Sequence, residues 1–93
     1  MKRKTWHSFV KSHNLVNRIY DMVYYFGVIK NPENETVIKK FFRMKLQEID
    51  YVETLAQYFE KKLTKYRRNF EIRANLTDLI YDLNTLKQYL ENK

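Results

Sequence analysis

The sequence predicts an all-α protein: a small bundle of three helices with a long central helix, in one domain over residues 1–93. Apolar residues recur at alternating steps of four and three from Ile38 to Phe70, which is the spacing of a coiled-coil seam. One Gly and one Pro are too few for the tight turns of a β-rich fold. The seam residues, interrupted only at Lys45, are Ile38, Phe42, Ile49, Val52, Ala56, Phe59, Leu63, Tyr66 and Phe70.

The first predicted helix spans about residues 5–27. Its apolar side chains recur at heptad spacing, as on a helix that packs one face on a core. Gly27 suits the position just after this helix, because glycine adopts the left-handed conformation that closes a helix. Asn31 and Pro32 follow as the N-cap and first residue of the next helix, where the missing N–H of proline is harmless. The apolar face consists of Phe9, Val16, Ile19, Val23 and Phe26.

The central helix is predicted over about residues 32–70. It would be about 57 Å long at 1.5 Å per residue, whereas a compact domain of this length is about 25 Å across. The third helix is predicted over about residues 76–91, because the leucines after Phe70 resume one step out of phase with the seam. Asn75 followed by Asp78 resembles a capping box that would start it. One bent helix with a local change of pitch is the alternative.

The lengths of the helices predict how they pack. The first and third helices together nearly match the central helix, so each would fold back antiparallel on one half of it. That arrangement leaves much of the seam in contact with water. Two copies that pair antiparallel would cover it with four helices at every level, so a homodimer is predicted. The alternative is a central helix that kinks near Gln57 to Thr64 and forms a compact four-helix bundle within one chain.

Charge is unevenly distributed along the central helix. The formal net charge of +7 favours polyanionic partners such as nucleic acid. Two basic runs, residues 39–45 and 61–68, are separated by residues 48–60, which carry four acids and no base. The amino-terminal Lys2, Arg3 and Lys4 add to the basic charge. The candidate nucleic-acid-binding residues are Lys39, Lys40, Arg43, Lys61, Lys65, Arg67 and Arg68.

The second basic run predicts a phosphate-binding face. Lys61, Lys65 and Arg68 are spaced by four and three, so on one helix they would share a face. With Tyr66 nearby, that row would follow a nucleic-acid backbone. No helix-turn-helix signature accompanies it, so binding would be independent of sequence.

Aromatic residues predict a protein interface. Eight tyrosines are too many for one small core to bury with satisfied hydroxyls, so some are expected at a partner surface. The candidate protein-interface residues are Tyr24, Tyr25, Tyr51, Leu55 and Tyr58.

No enzyme active site is predicted, and no catalytic residue, cofactor, metal or small-molecule substrate is expected. His7 and His13 would point about 240° apart on a helix and would share no metal ion. A single Gly excludes phosphate-binding loops and dinucleotide fingerprints. Two carboxylate pairs share helical faces and are expected to be solvated or ion-paired: Asp50 with Glu53, and Asp78 with Asp82.

These patterns favour a small non-catalytic binding or regulatory protein that acts by protein–protein association, of the inhibitor or adaptor kind found in phage, plasmids and bacteria. Sequence-nonspecific nucleic-acid binding is the alternative. In size, charge and helical content the chain also resembles small bacteriocin immunity proteins, a resemblance that implies a protective role at a membrane surface. No transmembrane segment is predicted, because the longest apolar run has eight residues and about 20 are needed. The absence of cysteine suits the cytoplasm.

Overall fold

The fold is all-helical, as the sequence predicts. A computed structural model of the chain describes residues 6–30 and 32–92 and has no strand in those ranges. The predicted start of the first helix at Thr5, the basic residues Lys2 to Lys4 and the predicted N-cap Asn31 lie outside the described residues. Within these ranges the chain forms five α-helices where three are predicted: α1 Trp6–Ser12, α2 Leu15–Tyr25, α3 Glu35–Lys45, which follows a 3-10 turn at Pro32–Asn34, α4 Ile49–Lys65 and α5 Phe70–Glu91.

The first predicted helix is divided into α1 and α2 at Asn14. This residue has the left-handed backbone conformation, with φ 53°, which asparagine adopts more readily than most residues. Its N–H donates to the carbonyl of Lys11 at 3.1 Å, and its own carbonyl accepts from the N–H of Arg18 at 3.1 Å. One residue thus ends α1 and starts α2. A heptad stripe hides this break, because the apolar faces of both short helices are directed into the same core.

The end of α2 confirms the role predicted for Gly27. Its φ is +82°, and its N–H donates to the carbonyl of Tyr24 at 3.0 Å. The N–H of Val28 donates to the carbonyl of Val23 at 2.9 Å. This pair of bonds is the Schellman motif, which satisfies the carbonyl groups left over at a helix end.

The predicted central helix is corrected to two helices, α3 and α4, with a turn at Leu46–Glu48 between them. The break lies closer to the amino terminus than the predicted kink, since Gln57 to Thr64 lie inside α4. Leu46 lies outside the predicted seam and is nevertheless fully buried. The indole N–H of Trp6 donates to the Leu46 carbonyl at 2.8 Å, and this contact between residues 40 apart satisfies an acceptor freed at the end of α3.

The second break is also corrected. It lies between Tyr66 and Asn69 rather than between Phe70 and Asn75. The Asn69 side chain accepts a hydrogen bond from the Ile72 N–H at 3.1 Å and caps α5. Asn75, the predicted cap, is exposed inside α5. The side chain of either asparagine could cap a helix. Because Ile72 is buried in the core, the earlier of the two, Asn69, caps the start of α5.

Helix α4 packs along α5, α2 packs on both α3 and α5, and α1 packs on α2 and α5. Arg18 of α2 pairs with Asp82 of α5 at 2.7 Å, and Glu53 of α4 pairs with Lys87 of α5 at 2.6 Å. The predicted three-helix bundle is not confirmed, and the described residues form a compact fold of five α-helices instead. The radius of gyration is 13.4 Å, near the ~12 Å expected for a compact domain of this length. The uncovered rod on which the predicted dimer depended is therefore absent.

The core draws on all five helices but not on the whole predicted seam. Phe59 is fully buried, whereas Phe70, at the end of the same seam, is 76% exposed. No polar or charged residue is buried among the described residues. The side chains with less than 2% exposure are Phe59, Leu15, Ile19, Leu46, Leu76, Leu79, Leu83, Leu86 and Val52.

Candidate binding surfaces

Helix α3 carries apolar side chains on two faces. Its inner face buries Phe42 and leads to the buried Leu46. Its outer face exposes Val37 (67%), Phe41 (45%) and Met44 (55%), which are spaced by four and three and therefore form one row. We call these three residues the α3 ridge. A helix of a monomeric bundle needs only one apolar face, so the outer row has no role in the core of this chain.

Cations border the α3 ridge on one side. Lys40 and Arg43 are exposed and three residues apart, so they form a second row beside the ridge. Neither forms an ion pair within the described part of the chain. Lys45, on the other side, is engaged, because its Nζ bonds Glu48 at 2.8 Å. One edge of the ridge therefore carries two positive charges that have no ion-pair partner among the described residues.

The α3 ridge continues onto α4 through Tyr51. The rings of Phe41 and Tyr51 meet edge to face with centroids 6.1 Å apart. Tyr51 is partly buried, and this burial raises the pKa of its hydroxyl. The contact restricts the Phe41 side chain, so the most hydrophobic part of the ridge is held in place.

Lys39, a predicted nucleic-acid-binding residue, is committed to contacts within the chain. Its Nζ bonds Glu35 at 2.5 Å and lies 5.0 Å from the centre of the Tyr20 ring. It faces a groove between α1, α2 and α3 that Lys11 and Arg43 also line. Of the predicted residues in the first basic run, Lys40 and Arg43 remain available to a partner.

The second basic run forms a separate surface at the end of α4. The helix ends at Lys65, so Arg67 and Arg68 lie in the turn that follows it, and the predicted row on a single helix face does not form. Lys61, Lys65, Arg67 and Arg68 are all exposed, and we call these four the basic end. None of them has an ion pair among the described residues.

Aromatic rings connect the basic end to the end of α2. Tyr66 contacts Phe26 at 5.2 Å and Tyr25 at 6.3 Å between ring centres. Phe26 in turn contacts Tyr58 at 6.4 Å. The Lys62 Nζ lies 5.0 Å from the Phe26 ring centre, where the ring's negative face attracts it. This aromatic cluster of Tyr25, Phe26, Tyr58 and Tyr66 fixes the end of α4 against α2.

The fold exposes some of the residues predicted for a protein interface and buries others. Tyr24 and Tyr25 are exposed, whereas Tyr51 and Tyr58 are partly buried. Leu55 is 7% exposed and belongs to the core, so it offers no free surface in this chain. The prediction missed the α3 ridge, although its spacing of four and three is present in the sequence: Val37, Phe41 and Met44.

The two carboxylates of the predicted Asp78 and Asp82 pair have different surroundings. Asp82 binds the Arg18 guanidinium at 2.7 Å and lies 3.6 Å from His13 Nδ1, while Asp78 faces the groove between α2 and α5. Glu53 bonds Lys87, and this hydrogen bond raises the pKa of the Lys87 ammonium. Among the described residues, no group of three or more His, Asp or Glu side chains could hold a metal ion.

Two buried tyrosine hydroxyls, those of Tyr20 and Tyr58, have no hydrogen-bond partner among the described residues. Burial raises the pKa of both above the ordinary value of 10.0, and Glu35 adds to the effect at Tyr20. Because the folded-state pKa of each hydroxyl is raised, the contribution of that hydroxyl to stability is fully present below pH 10.0 and is lost as the pH rises above this value.

Removal of both hydroxyls should therefore leave the protein as stable at pH 7 and reduce its alkaline sensitivity. We expect the Tyr20→Phe/Tyr58→Phe variant to have an unchanged or higher urea midpoint at pH 7. Its midpoint should fall less steeply above pH 10.0 than that of the wild type. A marked loss at pH 7 would show that at least one of the two hydroxyls is hydrogen-bonded.

Comparisons with protein families, with curated proteins and with solved structures give no match to this chain. The α3 ridge and the basic end are therefore the features from which its function is proposed.

Proposed function

We propose that the chain is a small cytoplasmic, non-catalytic binding protein whose α3 ridge docks an acidic amphipathic helix of a partner protein. The observation that carries this proposal is the second apolar face of α3. Val37, Phe41 and Met44 remain exposed after the inner face of the same helix has entered the core. When one helix packs against another, apolar side chains spaced by four and three serve as the anchors.

The ridge has the energetic character of a binding site. Burial of an apolar side chain of this size contributes about 1.5–3 kcal/mol. Association must also offset the free energy of ordering the interface, which is smaller when the side chains are already held in place. The edge-to-face contact of Phe41 with Tyr51 provides such restraint.

Charge favours an acidic occupant. Lys40 and Arg43 lie beside the ridge without ion pairs among the described residues, so a partner helix with Asp or Glu flanking its apolar stripe would complement them. A second copy docked on this ridge with its α3 antiparallel would instead bring Lys40 and Arg43 near their own counterparts. The predicted homodimer is thus the competing occupant.

A membrane surface is the third occupant that the ridge chemistry allows, because a helix with an apolar stripe and a basic edge also binds acidic lipids. Within residues 6–30 and 32–92, no helix combines the length and the apolar character needed to cross a membrane. Anionic vesicles are the probe that tests binding at a membrane surface.

The proposal can be tested with two designed peptides of equal length. Each is an amphipathic helix with leucine on one face, and its flanks carry glutamate in one peptide and lysine in the other. We expect the acidic peptide to bind the full chain, the basic peptide to bind poorly, and added salt to weaken the binding. Fluorescence anisotropy of the labelled peptide measures each affinity.

The Phe41→Ser/Met44→Ser variant should bind the acidic peptide at least about tenfold more weakly, since it loses two anchors. Tyr81→Ser is the matched control, because Tyr81 is 71% exposed on α5 and outside the ridge. Equal binding of both peptides, or binding that survives in the double variant, would contradict the proposal. Sedimentation showing a dimer that the double variant abolishes, or binding to anionic vesicles alone, would assign the ridge to another occupant.

A further inference from the structure

The basic end concentrates positive charge on a short, fixed segment. Its four exposed cations fall within residues 61–68, and the exposed carboxylates nearest in sequence are Glu60 and Glu71. The Asn69 N–H donates to the Tyr66 carbonyl at 2.9 Å, and the Asn69 side chain caps α5. The turn that carries the two arginines is therefore held at both ends.

Exposed rings lie at the same end of the molecule. Tyr25 is 56% exposed and Phe70 is 76% exposed. Tyr25 is the last residue of α2 and contacts Tyr66, and Phe70 is the first residue of α5. The Lys65 Nζ lies 5.6 Å from the centre of the Tyr66 ring. Exposed cations and exposed aromatic residues thus lie together at this end of the molecule.

We propose that this surface binds single-stranded nucleic acid without reading its sequence. The four cations contact phosphates, and Tyr25 and Phe70 each stack on an unpaired base. This combination is how proteins hold single strands, because every base offers a π-face and every nucleotide a phosphate. A duplex hides the faces of its bases, so it would use the cations and leave the rings unused. This site is distinct from the α3 ridge and does not depend on the function proposed for it.

The cations and the rings make different contributions, and a salt titration separates them. For single strands the logarithm of the binding constant falls with that of the salt concentration by about 0.7 for each phosphate contact. Four contacts therefore predict a slope of about −3. Stacking adds affinity without changing this slope, at about five- to 150-fold for each ring.

The test uses the full chain and a fluorescein-labelled 15-nucleotide single-stranded DNA of mixed sequence. We expect tighter binding to this strand than to its duplex, with the slope given above. Arg67→Gln/Arg68→Gln should make the slope shallower by about 1.4. Lys40→Gln/Arg43→Gln is the matched control, since it removes the same charge from exposed residues of α3 and should leave the slope unchanged.

Tyr25→Ser/Phe70→Ser should lower the affinity at least about 25-fold with an unchanged slope. The ridge variant Phe41→Ser/Met44→Ser should bind the strand normally, so failure of one site is distinguishable from failure of the other. Circular dichroism checks that each variant is folded. Equal affinity for single strand and duplex, no effect of the ring variant, an equal response to both charge variants, or tighter binding to anionic vesicles or polyglutamate would overturn the proposal.

Discussion

The Phe59→Ala variant is expected to lose about 3–5 kcal/mol of its free energy of unfolding, because the substitution removes a large core side chain and leaves a cavity. Phe59 is the largest fully buried side chain among the described residues. A domain of this length unfolds with about 5–14 kcal/mol, so the loss is a large fraction of the total. The same substitution at Phe70 should change stability by less than about 0.5 kcal/mol, because Phe70 is 76% exposed.

Urea unfolding followed by helical circular dichroism measures both variants, and each serves as the control for the other. Both phenylalanines lie on the predicted seam, so a continuous seam covered by a partner would make their losses similar. Similar losses would contradict the fold described above. Sedimentation of the wild-type chain would then establish whether a second copy covers Phe70.

The Thr54→Pro variant is expected to lose about 3 kcal/mol or more. Thr54 is an exposed residue inside α4, so the cost comes from the helix backbone, where proline removes a hydrogen bond and clashes with the preceding turn. Proline at Ile49 should be far less harmful. Ile49 is the first residue of α4, and Glu48 before it is extended, with φ −104° and ψ 121°, which is the conformation preferred before proline.

Ile49→Ala is the control for the partly buried Ile49 side chain. Ile49→Pro and Ile49→Ala should unfold within about 1 kcal/mol of each other. In a continuous helix over residues 32–70, Ile49→Pro would instead be about 3 kcal/mol less stable than Ile49→Ala. Thermal and urea unfolding of the three variants therefore decide whether the chain turns at Leu46–Glu48.

The candidate surfaces show which features residue spacing predicts and which it does not. Spacing identified both basic runs, yet it placed Arg68 on a helix face that ends at Lys65. It also assigned the apolar residues of α3 to one seam and overlooked the row of Val37, Phe41 and Met44, because a single stripe already explained a buried helix. The two rows differ in the solvent exposure of their side chains, and that exposure depends on which helices pack together.

The helix ends show the same division between local and distant causes. The end of α2 was predictable, because a glycine there takes a conformation that other residues avoid. The ends at Asn14, Leu46–Glu48 and Tyr66–Asn69 involve neither glycine nor proline. The turn after α3 is stabilised by the Trp6 indole, 40 residues away in sequence, and no periodicity reveals a contact of that kind.

By itself, the sequence determined that the protein is helical, that Gly27 closes the helix before it and that most seam side chains from Ile38 to Leu63 are directed into a core. These properties follow from local backbone preferences and from the spacing of apolar residues. The tertiary structure alone decided where the long apolar segment turns and which of its residues stay in water. The turn between α3 and α4 lets one chain cover what an extended helix would leave exposed, and the free energy of that burial outweighs the loss of helical hydrogen bonds at the turn.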